Sequence, residues 1–266
     1  MLKLIFKNII LILNNILVKT FKKVYFNKRI SKNIMSENKK YKRQLVFGGT
    51  GGMYNYSLGI ASVIQENFKE QLEDTLITGT SGGCFPGLLL SANLDIPNII
   101  KEWNEPILKE VDKYKLGAFY NFNDIVRKFS LEYLNKLDEN IYQKANGKLH
   151  CCMTHIPSFK EHIISDWKNN KDLIDGIMAS GFVPLFDKFK LTEQFRGNRY
   201  IDGYMSCPYP QPLKDVPTFI VRINMWRDYK ISWFWCWSDI EWSRQLFNWG
   251  VEDANNNILE LTDFFR

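Results

Sequence analysis

The chain has 266 residues, of which 45% are hydrophobic, 24% charged and 15% aromatic; this is the make-up of a globular protein, at a length that suits one domain with an appendage. A net charge of +6 invites a nucleic-acid partner, but residues 1–43 hold twelve Lys or Arg against the single acid Glu37, a local +11 that leaves the rest of the chain at −5. No nucleic-acid surface is expected from so uneven a distribution.

The first segment, "LKLIFKNIILILNNILV", is apolar, with Lys3, Lys7, Asn8, Asn14 and Asn15 forming a narrow polar stripe at helical spacing. Its uninterrupted apolar runs fall short of the about 20 residues that span a bilayer, so the reading is an amphipathic helix lying in the interface. The basic cluster Lys19, Lys22, Lys23, Lys28 and Arg29 that follows suits anionic headgroups and favours the cytoplasmic side. No small-residue cleavage site of a secretory signal follows the apolar run. Residues 1–43 are therefore expected to be a membrane-associating leader.

From residue 44 the pattern is strand, glycine loop, helix, strand, glycine turn, helix. "RQLVFGG" is a short apolar run stopped by glycines, and "YSLGIASVIQENF" sets Leu58, Ala61, Ile64 and Phe68 on one helical face. "DTLIT" reads as the next strand and "CFPGLLLSANL" as the next helix. This is the repeating unit of α/β folds, whose chemistry sits at the carboxyl ends of the strands. Residues 97–147 read as packing helices, "KLHCCMTHI" and "TFIVRINMW" as strands, "DLIDGIMAS" as a short helix, and "SDIEWSRQLFNWGVEDANNN" as a closing helix. In the aromatic run near the end, Trp233, Trp235 and Trp237 would share one strand face, which suits core or lid packing or a membrane boundary. The domain is expected to span residues 44–255, with a tail at 256–266. The five cysteines (Cys84, Cys151, Cys152, Cys207 and Cys236) form no even framework and no CxxC pair, which reads as reduced structural thiols.

Three glycine-bearing elements carry the chemistry. Gly79-Thr80-Ser81-Gly82-Gly83 fits G-x-S-x-G between a strand and a helix, a context that sets a serine on a sharp turn. A serine hydroxyl needs a base within hydrogen-bond reach. The three histidines, His150, His155 and His162, all precede Asp202, so the chain order Ser, acid, His of an α/β-hydrolase triad fails. A histidine-triad reading through His155 is disfavoured by that order. Asp202, before Gly203 in "NRYIDGYMSCPYP", is the other candidate base, although Asp-Gly is also a common turn pair. The loop "FGGTGGMYNYSLGIAS" lacks the third glycine of a dinucleotide fingerprint and the Gly-Lys-Ser/Thr of a P-loop, and an oxyanion hole remains.

These elements, in this order, resemble the patatin-like phospholipase family from about Gln44 to Asn255. The resemblance lies in "GGTGG" with "LGIAS", in "GTSGG", in "IMASGFVPLF" (Ala179, Ser180 and Pro184 of an A-S-x-x-x-P pattern), in "YIDGYMSCP" and in "NWGVEDA". It implies a three-layer α/β/α fold around a central, mostly parallel sheet and a Ser-Asp dyad without histidine. Carried over, Ser81 is the nucleophile and Asp202 the base. The N–H groups of Gly49, Thr50 and Gly51 form the oxyanion hole, Gly79 and Gly83 flank the nucleophile, and Gly203 completes the Asp-Gly turn. The implied activity is cleavage of carboxylic esters of phospholipids or neutral glycerolipids through an acyl-serine, with a lipid substrate, no metal and no cofactor. Met53 and Tyr54 stand where the family has a basic residue and a glycine, and Tyr204 where it has glycine or alanine. These departures define the alternative, a catalytically weakened protein that binds lipid or a partner at membranes.

Overall fold

The computed structural model describes residues 41–114, 121–185, 187–230 and 239–266. Residues 1–40 of the expected leader and the tryptophans at 233, 235 and 237 lie outside the described residues; Arg43, the last residue of the expected leader, is buried and opens the first strand. Two short buried runs build the centre: β1 (Arg43–Phe47) and β2 (Thr75–Thr80), in which every residue is buried. Strands buried on both faces read as continuous rather than alternating, and they need covering layers above and below.

The order along the sheet is β5 (Glu193–Phe195), β6 (Asn198–Asp202), β3 (Leu149–Ile156), β2, β1 and β7 (Thr218–Val221), with β4 (Lys160–Ile164) also paired to β3. Strands β7, β1, β2 and the first half of β3 are parallel; β4, β5 and β6 extend them antiparallel. The architecture is a mixed sheet flanked by helices, the three-layer α/β/α arrangement expected from the sequence. The antiparallel strands are short and carry polar residues, and of these only the run before Asp202 is visible as an apolar segment in the sequence.

Helices α1 (Tyr54–Asn67) and α2 (Cys84–Ser91) follow β1 and β2 directly. The middle supplies α3 (Ile96–Ile99), a π-helical turn at Ile100–Asn104, α4 (Glu105–Asp112), α5 (Phe122–Leu137) and α6 (Ile141–Ala145). Helix α7 (Asn170–Ser180) starts with the Asn169 side chain accepting from the Asp172 N–H and ends at Ser180, beside the first glycine turn. Helix α8 (Ile240–Asn256) crosses α1 so closely that a methyl group on Gly59 would meet the Phe247 carbonyl oxygen at 2.1 Å. Residues 256–266, set apart as a tail in the sequence, hold α9 (Ile258–Phe265), whose Leu261 and Phe265 are buried; Phe265 stacks on Phe68 with ring centroids 4.5 Å apart. Among the described residues no helix is long and apolar enough to cross a membrane.

Candidate active site

The register of β3 explains why two residues far apart in sequence meet. Cys151 and Cys152 pair with β2 on one edge and β4 on the other, while Met153 to His155 pair with β4 and β6. Strands β2 and β6 therefore share one edge of β3, running toward each other. Strand β2 ends at Thr80 opposite Cys152, and β6 ends at Asp202 opposite Met153. The residue after Thr80 is Ser81, so the two chain ends converge on adjacent β3 positions.

Ser81 has φ +56°, a left-handed conformation unusual for a residue with a side chain, at the sharp passage from β2 to α2. Its neighbours leave no room for side chains. A methyl group would meet the Cys84 Cα at 2.6 Å on Gly79, the Gly48 carbonyl oxygen at 2.4 Å on Gly83, and the Cys152 carbonyl oxygen at 2.1 Å on Gly203. Each of these glycines is required for close backbone approach, which is why both turns carry them.

The Ser81 hydroxyl donates to Asp202 Oδ2 at 2.6 Å, and the Tyr204 N–H donates to Asp202 Oδ1 at 2.8 Å. Asp202 is buried, and that burial raises its pKa to about 6, with the bonds from Ser81 and the Tyr204 N–H pulling the other way. A carboxylate of that basicity, touching a serine hydroxyl, can accept its proton as a bond to carbon forms.

Supporting contacts come from residues that sequence reading credits with little. The Ser81 N–H donates to Ser180 Oγ at 2.9 Å, and Ser180 in turn donates to the Cys152 carbonyl at 2.5 Å and accepts from the Cys84 thiol at 3.3 Å. Ser180 thus braces the Ser81 turn against β3, in keeping with a supporting role. Thr154 donates to the Asp202 carbonyl at 2.8 Å, and the Asp202 N–H donates to the Phe182 carbonyl at 2.7 Å. Nothing local marks Thr154; only the β3–β6 register brings it to the carboxylate's backbone.

The glycine loop lies against this turn. A methyl group on Gly82 would strike Thr50 Oγ1 at 2.1 Å, and one on Gly49 would stand 3.5 Å from the Ser81 Cβ. Gly51 takes φ +52°, and among the described residues none accepts a hydrogen bond from the N–H groups of Gly49, Thr50 or Gly51. These donors lead into α1, whose N-terminal end also favours negative charge.

Each of the three departures from the family pattern has its own packing or hydrogen-bond partners. Met53 is buried, beside Tyr56, Leu246 and Trp249. Tyr54 donates to Asn104 Oδ1, and the Asn104 amide donates to Asn55 at 2.9 Å and Ser243 at 3.0 Å, a network joining α1, the π-helical turn and α8. Tyr204 lies over Gly49, whose methyl group would meet its ring at 2.7 Å. The histidines have other partners: His155 Nδ1 shares a 2.8 Å hydrogen bond with Ser158, His162 Nδ1 a 3.2 Å one with Tyr200, and burial holds the His150 pKa down to about 4. Among the described residues no group of three or more His, Cys, Asp or Glu is placed to hold a metal ion. Cys84, Cys151, Cys152 and Cys207 are free thiols.

Comparison with known proteins bears on the family of the chain. The chain is 27% identical over 165 residues to a mouse omega-hydroxyceramide transacylase, covering 62% of this chain and 27% of the relative. It is 28% identical over 170 residues to human patatin-like phospholipase domain-containing protein 4, covering 62% and 66%. To a mouse 1-acylglycerol-3-phosphate O-acyltransferase it is 26% identical over 169 residues, covering 62% and 40%. The chain thus spans between 27% and 66% of the length of these relatives. The crystal structure of VipD from Legionella pneumophila is similar with a TM-score of 0.41 at 13% identity, over 75% of this chain and 55% of that one. Residues 45–213 match the model of the patatin-like phospholipase family, and the chain belongs to that family.

Proposed function

We propose that the chain is a serine-dependent lipid acyl hydrolase that cleaves carboxylic esters of phospholipids or neutral glycerolipids. The observation that carries this reading is the 2.6 Å hydrogen bond from the Ser81 hydroxyl to the buried Asp202 carboxylate, beside a glycine loop whose N–H groups at residues 49–51 no described residue accepts. As Ser81 Oγ attacks the ester carbon, its proton passes to Asp202 Oδ2. The carbonyl oxygen becomes an oxyanion that accepts from the N–H groups of Gly49, Thr50 and Gly51. Collapse expels the alcohol, which takes the proton from Asp202, and leaves an acyl-Ser81 ester. Water then attacks that ester, gives its proton to Asp202, and the fatty acid leaves as Ser81 is reprotonated.

A second reading differs only in the acceptor. Relatives of this chain carry the names transacylase and acyltransferase, and an alcohol in place of water at the acyl-Ser81 stage would give acyl transfer. Contact of the basic leader with the cytoplasmic face of a membrane belongs to the same proposal.

The test is labelling by a fluorophosphonate probe together with fatty-acid release from mixed phospholipid vesicles, for wild type, Ser81→Ala and Asp202→Asn. Labelling and release by the wild type, both lost in the two variants, are expected. A folded wild type that neither labels nor releases acid overturns the hydrolase reading and favours lipid or partner binding.

A further inference from the structure

The connection from α7 to β5 presents a surface that the chemistry of Ser81 and Asp202 does not use. Leu185, Phe189 and Leu191 are 42%, 72% and 67% exposed. They are three of the seven large hydrophobic side chains exposed among the described residues, gathered within seven positions. Isolated exposed hydrophobics are ordinary, whereas a cluster marks an interaction surface.

The charges on the same stretch are sorted by side. Asp187 is fully buried, and among the described residues neither of its carboxylate oxygens accepts a hydrogen bond. Lys188 and Lys190 remain at the surface, with side chains 37% and 41% exposed. Lys188 pairs with Asp124, and Lys190 stands 3.6 Å from the buried Asp187 and 3.8 Å from Glu193. The outward face of the connection therefore sets three exposed apolar side chains beside two partly exposed, ion-paired lysines.

Both ends of this connection are tied to the candidate site. At the start, a methyl group on Gly181 would touch the Ser81 backbone at 3.8 Å, and the Phe182 carbonyl accepts from the Asp202 N–H. At the far end, β5 pairs with β6, the strand that ends in Asp202. We propose that Leu185, Phe189 and Leu191, with Lys188 and Lys190, dock this face onto an anionic lipid surface. The choice of a lipid over a protein partner rests on the hydrolase reading above; docking here would present Ser81 to esters in that surface.

The experiment is hydrogen–deuterium exchange of the full chain, wild type and Ser81→Ala, with and without vesicles of phosphatidylcholine containing phosphatidylglycerol. Sedimentation with the same vesicles compares wild type with Phe189→Ser/Leu191→Ser and with Lys188→Gln/Lys190→Gln, each checked for folding by thermal melting. Vesicles are expected to slow exchange in peptides covering residues 187–192, in wild type and Ser81→Ala alike. The apolar pair of substitutions is expected to weaken partitioning about tenfold or more, and the lysine pair by several-fold, less at high salt. A chain that sediments while this connection exchanges freely is held by its leader alone, and the proposal falls. It falls equally if no vesicle binds the chain, which would point to a protein partner, or if pure phosphatidylcholine protects the connection as well. Because Ser81→Ala docks without turnover, a failed hydrolase reading and a failed docking surface give different results.

Discussion

Ser81 and Asp202 lie 121 residues apart in sequence, yet they touch because β2 and β6 end head to head on one edge of β3, opposite Cys152 and Met153. The contact is thus fixed by backbone pairing on both sides. Its acid-base behaviour follows from burial, which raises the Asp202 pKa to about 6. If Asp202 is the base, kcat/KM on a soluble ester should rise about tenfold per pH unit below about 6 and level off above it. A rise centred near or above neutral pH would assign the base to another group.

Asp202 also costs the fold stability. Its carboxyl binds a proton more tightly folded, near pH 6, than unfolded, near the ordinary 3.8. Between those values the unfolded state holds fewer protons, so stability falls as pH rises through the window and stays lower above it. Asp202→Asn keeps the shape without the buried charge. At neutral pH it should stabilise the protein by about 1–3 kcal/mol while removing activity, and near pH 4 the gain should vanish. Urea denaturation at both pH values measures this; a variant less stable than wild type at pH 7 refutes the assignment.

Much of this was legible in the sequence because it is local. The apolar runs, the helical spacing of Leu58, Ala61, Ile64 and Phe68, and the two glycine turns give β1, α1, β2, α2 and Ser81. Chain order sets the histidines aside, but Asp202 could be chosen as the base only through the family resemblance, since Asp-Gly alone is an ordinary turn pair. What the sequence hid is set by long-range register. Strands as short as "EQF" and "NRYID" carry no strong period, and their partners are decided by β3. The same holds for Thr154 beneath Asp202 and for α9, whose Phe265 finds Phe68 on the other side of the chain.

Ser180 should act on turnover through position alone. Ser180→Ala strips the Ser81 N–H of its acceptor and the Cys152 carbonyl of a donor. The expected result is a fall in kcat of about 10- to 100-fold with KM little changed, and a stability loss of about 1–3 kcal/mol. Activity at the wild-type level would show that the turn holds itself.

Restoring the family residues at Met53 and Tyr54 tests whether they weaken an enzyme. Met53 is in the core, and Tyr54 anchors the buried Asn104, Asn55 and Ser243 network. Met53→Arg with Tyr54→Gly would bury an unpaired guanidinium and leave Asn104 without its donor, costing about 3 kcal/mol or more. Thermal melting should show a lower Tm and no gain in ester turnover. A folded variant with higher activity would mean that these residues restrain catalysis and do not serve packing.

Tyr204 and Gly49 should prove coupled. A methyl group on Gly49 would meet the Tyr204 ring at 2.7 Å and approach the Ser81 Cβ at 3.5 Å, so Gly49→Ala must push the ring away or shift the loop proposed to carry the oxyanion donors. Displacing a single donor costs on the order of 10²-fold in kcat. Tyr204→Ala removes the ring but keeps the backbone N–H that holds Asp202 Oδ1. The double variant Gly49→Ala/Tyr204→Ala should therefore recover a large part of the activity lost in Gly49→Ala. The four kcat/KM values form a double-mutant cycle, and a coupling energy of about 1 kcal/mol or more is expected. Simple additivity would place the Tyr204 ring away from the loop during turnover. Recovery would establish that the tyrosine, in place of the family's small residue, sets the space above the oxyanion donors.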